Sequence, residues 1–218
     1  MNPFALMGLG LILGMRHATD PDHVVAVTAI AARHRKAAPA ALIGALWGLG
    51  HTLTILVVGA AIILLNLTVP PRVGLSLEFA VGIVLTLVGL WNIAGRKGFV
   101  TAGAEEGKLP TWRAFLVGLV HGLAGSAAVA LLVLATVHDA VPAVIYLLVF
   151  GLGTIVGMMV ITLAFAVPAG ALAQRFDRFA PQLRLATGLL SLTFGLYVMS
   201  HIGFVDGLFS AHPTWSPH

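Results

Sequence analysis

Apolar residues run in long stretches along this chain, and polar ones gather in the gaps between them. The apolar segments cover about 3–32, with a break inside, then 39–65, 74–95, 112–137, 142–168 and 184–205. Each of the last five holds 22 residues or more. At about 1.5 Å per helical residue, that length crosses a hydrocarbon core of about 30 Å. The gaps carry ordinary turn chemistry: Pro70-Pro71, Gly103 through Pro110, His138-Asp139 with Pro142, and the polar run from Arg175 to Arg184. The pattern predicts an all-α membrane protein with about six transmembrane helices.

The first segment is interrupted. Residues 3–15 and 24–32 are each too short to span, and Arg16-His17-Ala18-Thr19-Asp20-Pro21-Asp22-His23 stands between them. Pro21 has no amide hydrogen and clashes with the preceding turn, so one continuous helix is not expected. Asp20 as N-cap with Pro21 at the first helical position starts a new helix, with Asp22 and His23 in its first turn. The segment reads as a broken span or a re-entrant pair.

Composition sharpens this picture. Of 218 residues, 59% are hydrophobic and 9% charged, against about 25% charged in an average soluble domain. So few charges cannot coat a soluble surface, which excludes soluble enzymes and nucleic-acid binders. Met1-Asn2-Pro3 carries no basic side chain, so the start does not read as a secretory signal. Arg33, Arg35 and Lys36 follow segment one; Arg96, Lys97, Lys108 and Arg113 flank the loop after segment three; Arg175, Arg178 and Arg184 follow segment five. The positive-inside rule puts those three loops in the cytoplasm and the C-terminus outside, in a multi-pass cell-membrane protein.

The two halves of the chain match in register. Gly14 and His17 correspond to Gly118 and His121, Trp47-Gly48-Leu49-Gly50 to Phe150-Gly151-Leu152-Gly153, and Gly82 and Gly89 with Leu90-Trp91 to Gly188 and Gly195 with Leu196-Tyr197. Three spans per repeat is an odd number, so the halves are expected to be inverted. Repeat one covers about 1–97 and repeat two about 112–205, within a single transmembrane domain of 1–218 that ends in a polar tail, 206–218. Inverted repeats with interrupted helices are a transporter architecture, which supports transport by analogy.

Ionisable residues at bilayer depth are costly and default to functional candidates. His17, Asp20, Asp22 and His23 lie near the middle of segment one, His51 in segment two and His121 in segment four. Counted from the cytoplasmic ends, His23 and His121 are about 14 Å deep and His51 about 20 Å. Imidazole with carboxylate suits borderline divalent ions: nickel, cobalt, zinc or copper(II). The chain has no cysteine, so thiolate sites are excluded. The plain structural alternative is a buried His–Asp pair that fixes the helix break, with Arg16 as its counter-ion. His201 reads as interfacial, His34 and His138 as solvated, and His212 and His218 as part of the tail.

Arg16-His17-Ala18-Thr19-Asp20-Pro21-Asp22-His23-Val24 resembles the signature R-H-A-x-D-A-D-H-I of the nickel/cobalt transporter family (NiCoT/NicO type). Leu49-Gly50-His51-Thr52 resembles its second signature, L-G-H-S. A third, G-F-D-T-A-T-E, stands here as Gly122-Leu123-Ala124-Gly125-Ser126-Ala127-Ala128, without its acids. That stretch is similar to the short six-span branch of urease-accessory-like transmembrane proteins. The resemblance implies a permease, not an enzyme, that moves Ni2+ or Co2+ with no prosthetic group. It carries His17, Asp22, His23 and His51 over as metal-binding positions. His121 joins them through the repeat; Asp20, Arg16 and Thr52 stand behind them as supporting residues. The expected partners are the metal ion and the lipid bilayer, with a homo-oligomer or a metalloenzyme-maturation partner left open. Two other functions share these features: export of a small organic solute on the same fold, and an intramembrane metalloenzyme with Asp20 as base.

Overall fold

The computed structural model describes residues 3–31, 37–65, 70–94, 111–122, 140–175 and 179–215. Every regular element among these residues is helical: α1 (Pro3–His17), α2 (Pro21–Ala31), α3 (Ala37–Leu65), α4 (Pro71–Ile93), α5 (Thr111–Gly122), α6 (Ala140–Arg175) and α7 (Phe179–Ser200), which runs into a π turn at His201–Val205. Among the described residues, four stretches are long and apolar enough to cross a membrane: Ala37–Ala61, Pro71–Ile93, Val141–Leu172 and Pro181–Val205. A helix meets every backbone hydrogen bond within its own segment, so it is the form such sequences take in lipid. The protein is therefore a helical membrane protein. Its outward faces carry Ile12, Val57, Val141 and Tyr197, each more than 60% exposed, as lipid contact requires.

The expected break in the first segment lies between α1 and α2. The Asp20 carbonyl accepts the amide of Val24 at 3.0 Å, the first hydrogen bond of the new helix. Two boundaries differ from the sequence expectation. Helix α6 is longer than 142–168 and carries Pro168 inside it, which a packed membrane helix tolerates. Helix α7 starts at Phe179, within the stretch expected to be a turn, because Pro181 falls in its first turn, where no amide donor is needed. Of the fourth segment, α5 is described as far as Gly122; its remainder lies outside the described residues.

Close backbone approaches fix the packing. Helix α1 lies along α6, α5 along α3, α3 along α6, and α4 along α7. Gly10 lies against Tyr146, Gly14 against Phe150 and Gly157 against Ala18, so α1 and α6 run parallel. Gly118 lies against Trp47 and Gly122 against His51 and Thr54, so α5 and α3 also run parallel. Gly48 faces Ile155 and Gly151 faces Thr52, which makes α3 and α6 antiparallel. Gly82 meets Met199 and Gly89 meets Leu192, which makes α4 and α7 antiparallel. A methyl at Gly14 would strike the carbonyl of Phe150, and one at Gly118 the carbonyl of Trp47. Small residues of this kind let membrane helices touch backbone to backbone.

Polar side chains reinforce these contacts across helices. Asn92 Nδ2 donates to the Ala29 carbonyl at 2.8 Å, Ser191 Oγ to Leu85 at 2.8 Å and Thr54 Oγ1 to Leu119 at 3.0 Å. The first of these ties α2 to the far end of α4. Beyond the π turn the tail folds back onto the start of α4. Arg72 donates to the Ser210 carbonyl at 3.2 Å, and Trp215 Nε1 to Glu78 at 2.9 Å.

Candidate metal centre

Five of the histidine and aspartate side chains singled out above meet in the interior where α1, α2, α3 and α5 come together. His17 is the last residue of α1, at the edge of the break. Asp22 and His23 occupy the first turn of α2. His51 lies mid-way along α3, and His121 near the end of α5. His23, His51 and His121 are 0% exposed and His17 is 6% exposed.

His23 is the hub. Its ring centroid is 4.9 Å from those of His17 and His51 and 5.1 Å from that of His121. The donor atoms form two groups, each within 4.8 Å: His17, His23 and His51, and Asp22, His23 and His121. Asp22 reaches His23 Nδ1 at 3.2 Å and His121 Nε2 at 3.3 Å. These are ion-pair distances, but neither contact is aligned as a hydrogen bond. Both ring nitrogens of His23 and both of His121 are buried with no hydrogen-bond partner among the described residues, as is His51 Nδ1. Buried polar atoms are nearly always satisfied. Two of these five nitrogens, His23 Nδ1 and His121 Nε2, face the Asp22 carboxylate, and together with it the imidazoles form a set of ligand atoms of the kind that could hold a borderline divalent cation.

Asp20 orients one ring. Its Oδ2 lies 2.8 Å from His17 Nδ1. A carboxylate oxygen in that place accepts from an Nδ1–H tautomer of His17, which turns Nε2 to the interior as the acceptor. His17 Nε2 lies 2.8 Å from His51 Nε2, a hydrogen bond between the two rings. A carboxylate behind an imidazole in this way fixes tautomer and ring direction and raises donor basicity. The supporting residues are otherwise placed differently from one another. Arg16 is exposed. Thr52 is buried, but its hydroxyl donates to the Gly151 carbonyl at 3.1 Å and so serves the contact between α3 and α6. His201 lies apart from the cluster, half exposed, with its Nδ1 3.1 Å from Asp206.

Two aromatic residues that sequence reasoning did not single out for the site close it. The Phe150 ring centroid is 5.5 Å from that of His17, and the Trp47 ring is 5.4 Å from His121 and 6.1 Å from His23. Both are 1% exposed. The signal for them was their matched place in the internal repeat; a repeat in the sequence carries no distance to a histidine.

The urease accessory protein UreH of Bacillus sp. (strain TB-90) is 36% identical over 219 residues, which cover 94% of this chain and 95% of that protein. A Methanocaldococcus jannaschii protein whose name proposes a nickel/cobalt efflux system is 27% identical over 206 residues, 87% of this chain and 90% of that one. The Arabidopsis thaliana chloroplast protein FOR GROWTH AND FERTILITY 2 is 25% identical over 208 residues, 87% of this chain and 55% of its own length. No family model and no solved structure matches the chain.

Proposed function

The chain belongs to the nickel/cobalt transporter family, and we propose that it is a multi-pass permease that carries Ni2+ or Co2+ through the cluster of His17, Asp22, His23, His51 and His121. The observation that carries this reading is the convergence of four buried imidazoles and one carboxylate on His23, with His23 Nε2, His51 Nδ1 and His121 Nδ1 buried and without a hydrogen-bond partner among the described residues. Left empty, each such atom costs about 1–3 kcal/mol of unmet desolvation. A cargo ion would relieve that cost.

The proposed architecture is six crossings in two inverted repeats. The interrupted pair α1–α2 makes the first crossing, α3 and α4 the next two, the segment that begins with α5 the fourth, and α6 and α7 the last two. The reciprocal contacts support it: Gly14 on Phe150 answers Gly118 on Trp47, Gly48 on Ile155 answers Gly151 on Thr52, and α4 pairs with α7 in the same antiparallel sense. With the basic loops in the cytoplasm, α1 starts outside and descends to the cluster, while α5 rises to it from the cytoplasm. Rocking of one repeat against the other would then expose the cluster to each side in turn.

The protein in liposomes should move nickel or cobalt down a gradient at pH 7, measured with radiolabelled ion. Flux should fall between pH 7 and pH 5, because ligation needs neutral imidazole and protons compete with the metal for it. Wild-type vesicles that move neither ion, or unimpaired flux in His23→Ala, would end this reading.

A further inference from the structure

The donors do not form one shell. They divide into His17, His23 and His51 on one side and Asp22, His23 and His121 on the other, with His23 in both groups. Each group has its own aromatic cap. Phe150 covers His17, and Trp47 covers His121 and touches His23. The caps face opposite ends of the bundle. Helices α3 and α6 are antiparallel, with Gly48 level with Ile155 and Thr52 level with Gly151. That puts Phe150 about six residues, or roughly 9 Å, further along the axis than Trp47. Helical side chains lean toward their own N-terminus, so the two rings diverge further.

Resting on the permease reading, we propose that the cluster is two overlapping three-donor subsites that share His23, and that a single ion crosses from one to the other while His23 stays bound. On the Phe150 side the ion is held by His17, His23 and His51. As it moves, the bonds to His17 and His51 break, and bonds to Asp22 and His121 form on the Trp47 side. No proton or electron transfer is needed. His23 suits this part because its ring lies between the two groups, fully buried, with Nδ1 3.2 Å from Asp22 and Nε2 without a hydrogen-bond partner among the described residues. The subsites differ in charge: the first is built from neutral imidazoles and the second includes a carboxylate, so the ion rests more tightly beside Asp22.

Nickel binding to the purified full-length protein, together with nickel flux in liposomes, tests this. Wild type should bind one Ni2+ per chain. His51→Ala should still bind one Ni2+ within a few-fold of wild-type affinity and His121→Ala one Ni2+ about ten- to a hundredfold more weakly, yet each should lose at least tenfold in flux. His23→Ala should bind none and move none. X-ray absorption should find a more carboxylate-rich shell in His51→Ala than in His121→Ala. The Gln variants at both positions repeat the comparison where an Ala variant does not fold. Two ions per wild-type chain, loss of binding in either single variant as complete as in His23→Ala, or full flux in either, overturns the relay alone. Wild type that neither binds nor moves nickel overturns the permease reading and the relay with it.

Discussion

Helix α1 lies on α6 much as α5 lies on α3, but the two contacts do different chemistry. In both, a glycine of the shorter helix touches the carbonyl of an aromatic residue on the longer one, and a histidine near the end of the shorter helix packs on that aromatic ring. The polar atoms part company there. At the position in α6 that matches His51 of α3 stands Thr154, whose hydroxyl donates back to the Phe150 carbonyl at 3.0 Å. The break between α1 and α2 adds Asp20, Asp22 and His23 on the first side. Four of the five candidate donors thus come from residues before α4, and His121 alone from the later part. The packing is near-symmetric because backbone contact depends only on small residues at matching positions. The proposed ion chemistry is lopsided because a cation needs donors that converge on a point, and one interrupted helix with its neighbour can supply most of them.

The largest of these effects is expected at the matched histidines. His17→Ala should lower nickel flux at least a hundredfold in the liposome assay while the protein stays folded; flux within twofold of wild type would place the function elsewhere. Next comes the shared packing. Gly14→Ala and Gly118→Ala should destabilise the protein by similar amounts, each about 1–3 kcal/mol, because both drive a methyl into backbone. Thermal unfolding in detergent measures this, with Gly8→Ala as the control, since nothing lies near its added methyl. Strongly unequal losses would break the comparison. A smaller effect is expected at Asp20. Asp20→Asn keeps the shape but removes the charge behind His17, and nickel affinity should fall about tenfold. The smallest is Thr154→Val, which should leave flux within twofold, because that hydroxyl serves only its own helix. A larger loss would mean that α6 also contributes to the ion's path.

Much of this was readable along the chain. Composition alone dictated a membrane protein, because insertion depends on local hydrophobicity, residue by residue. The break at Asp20-Pro21 followed from the missing amide of proline. The donor residues stood out because ionisable groups are rare in apolar segments. Their meeting was not readable. Helix α3 is apolar on every side, so nothing in its sequence says that His51 points to the cluster while Thr52, one residue on, points to α6. Direction about a helix axis is set by the neighbour it packs against, through contacts such as Gly48 on Ile155 and Gly118 on Trp47, which join residues far apart in the chain. The division of the donors around His23 and the two aromatic caps are products of those contacts, and only the assembled bundle decided them.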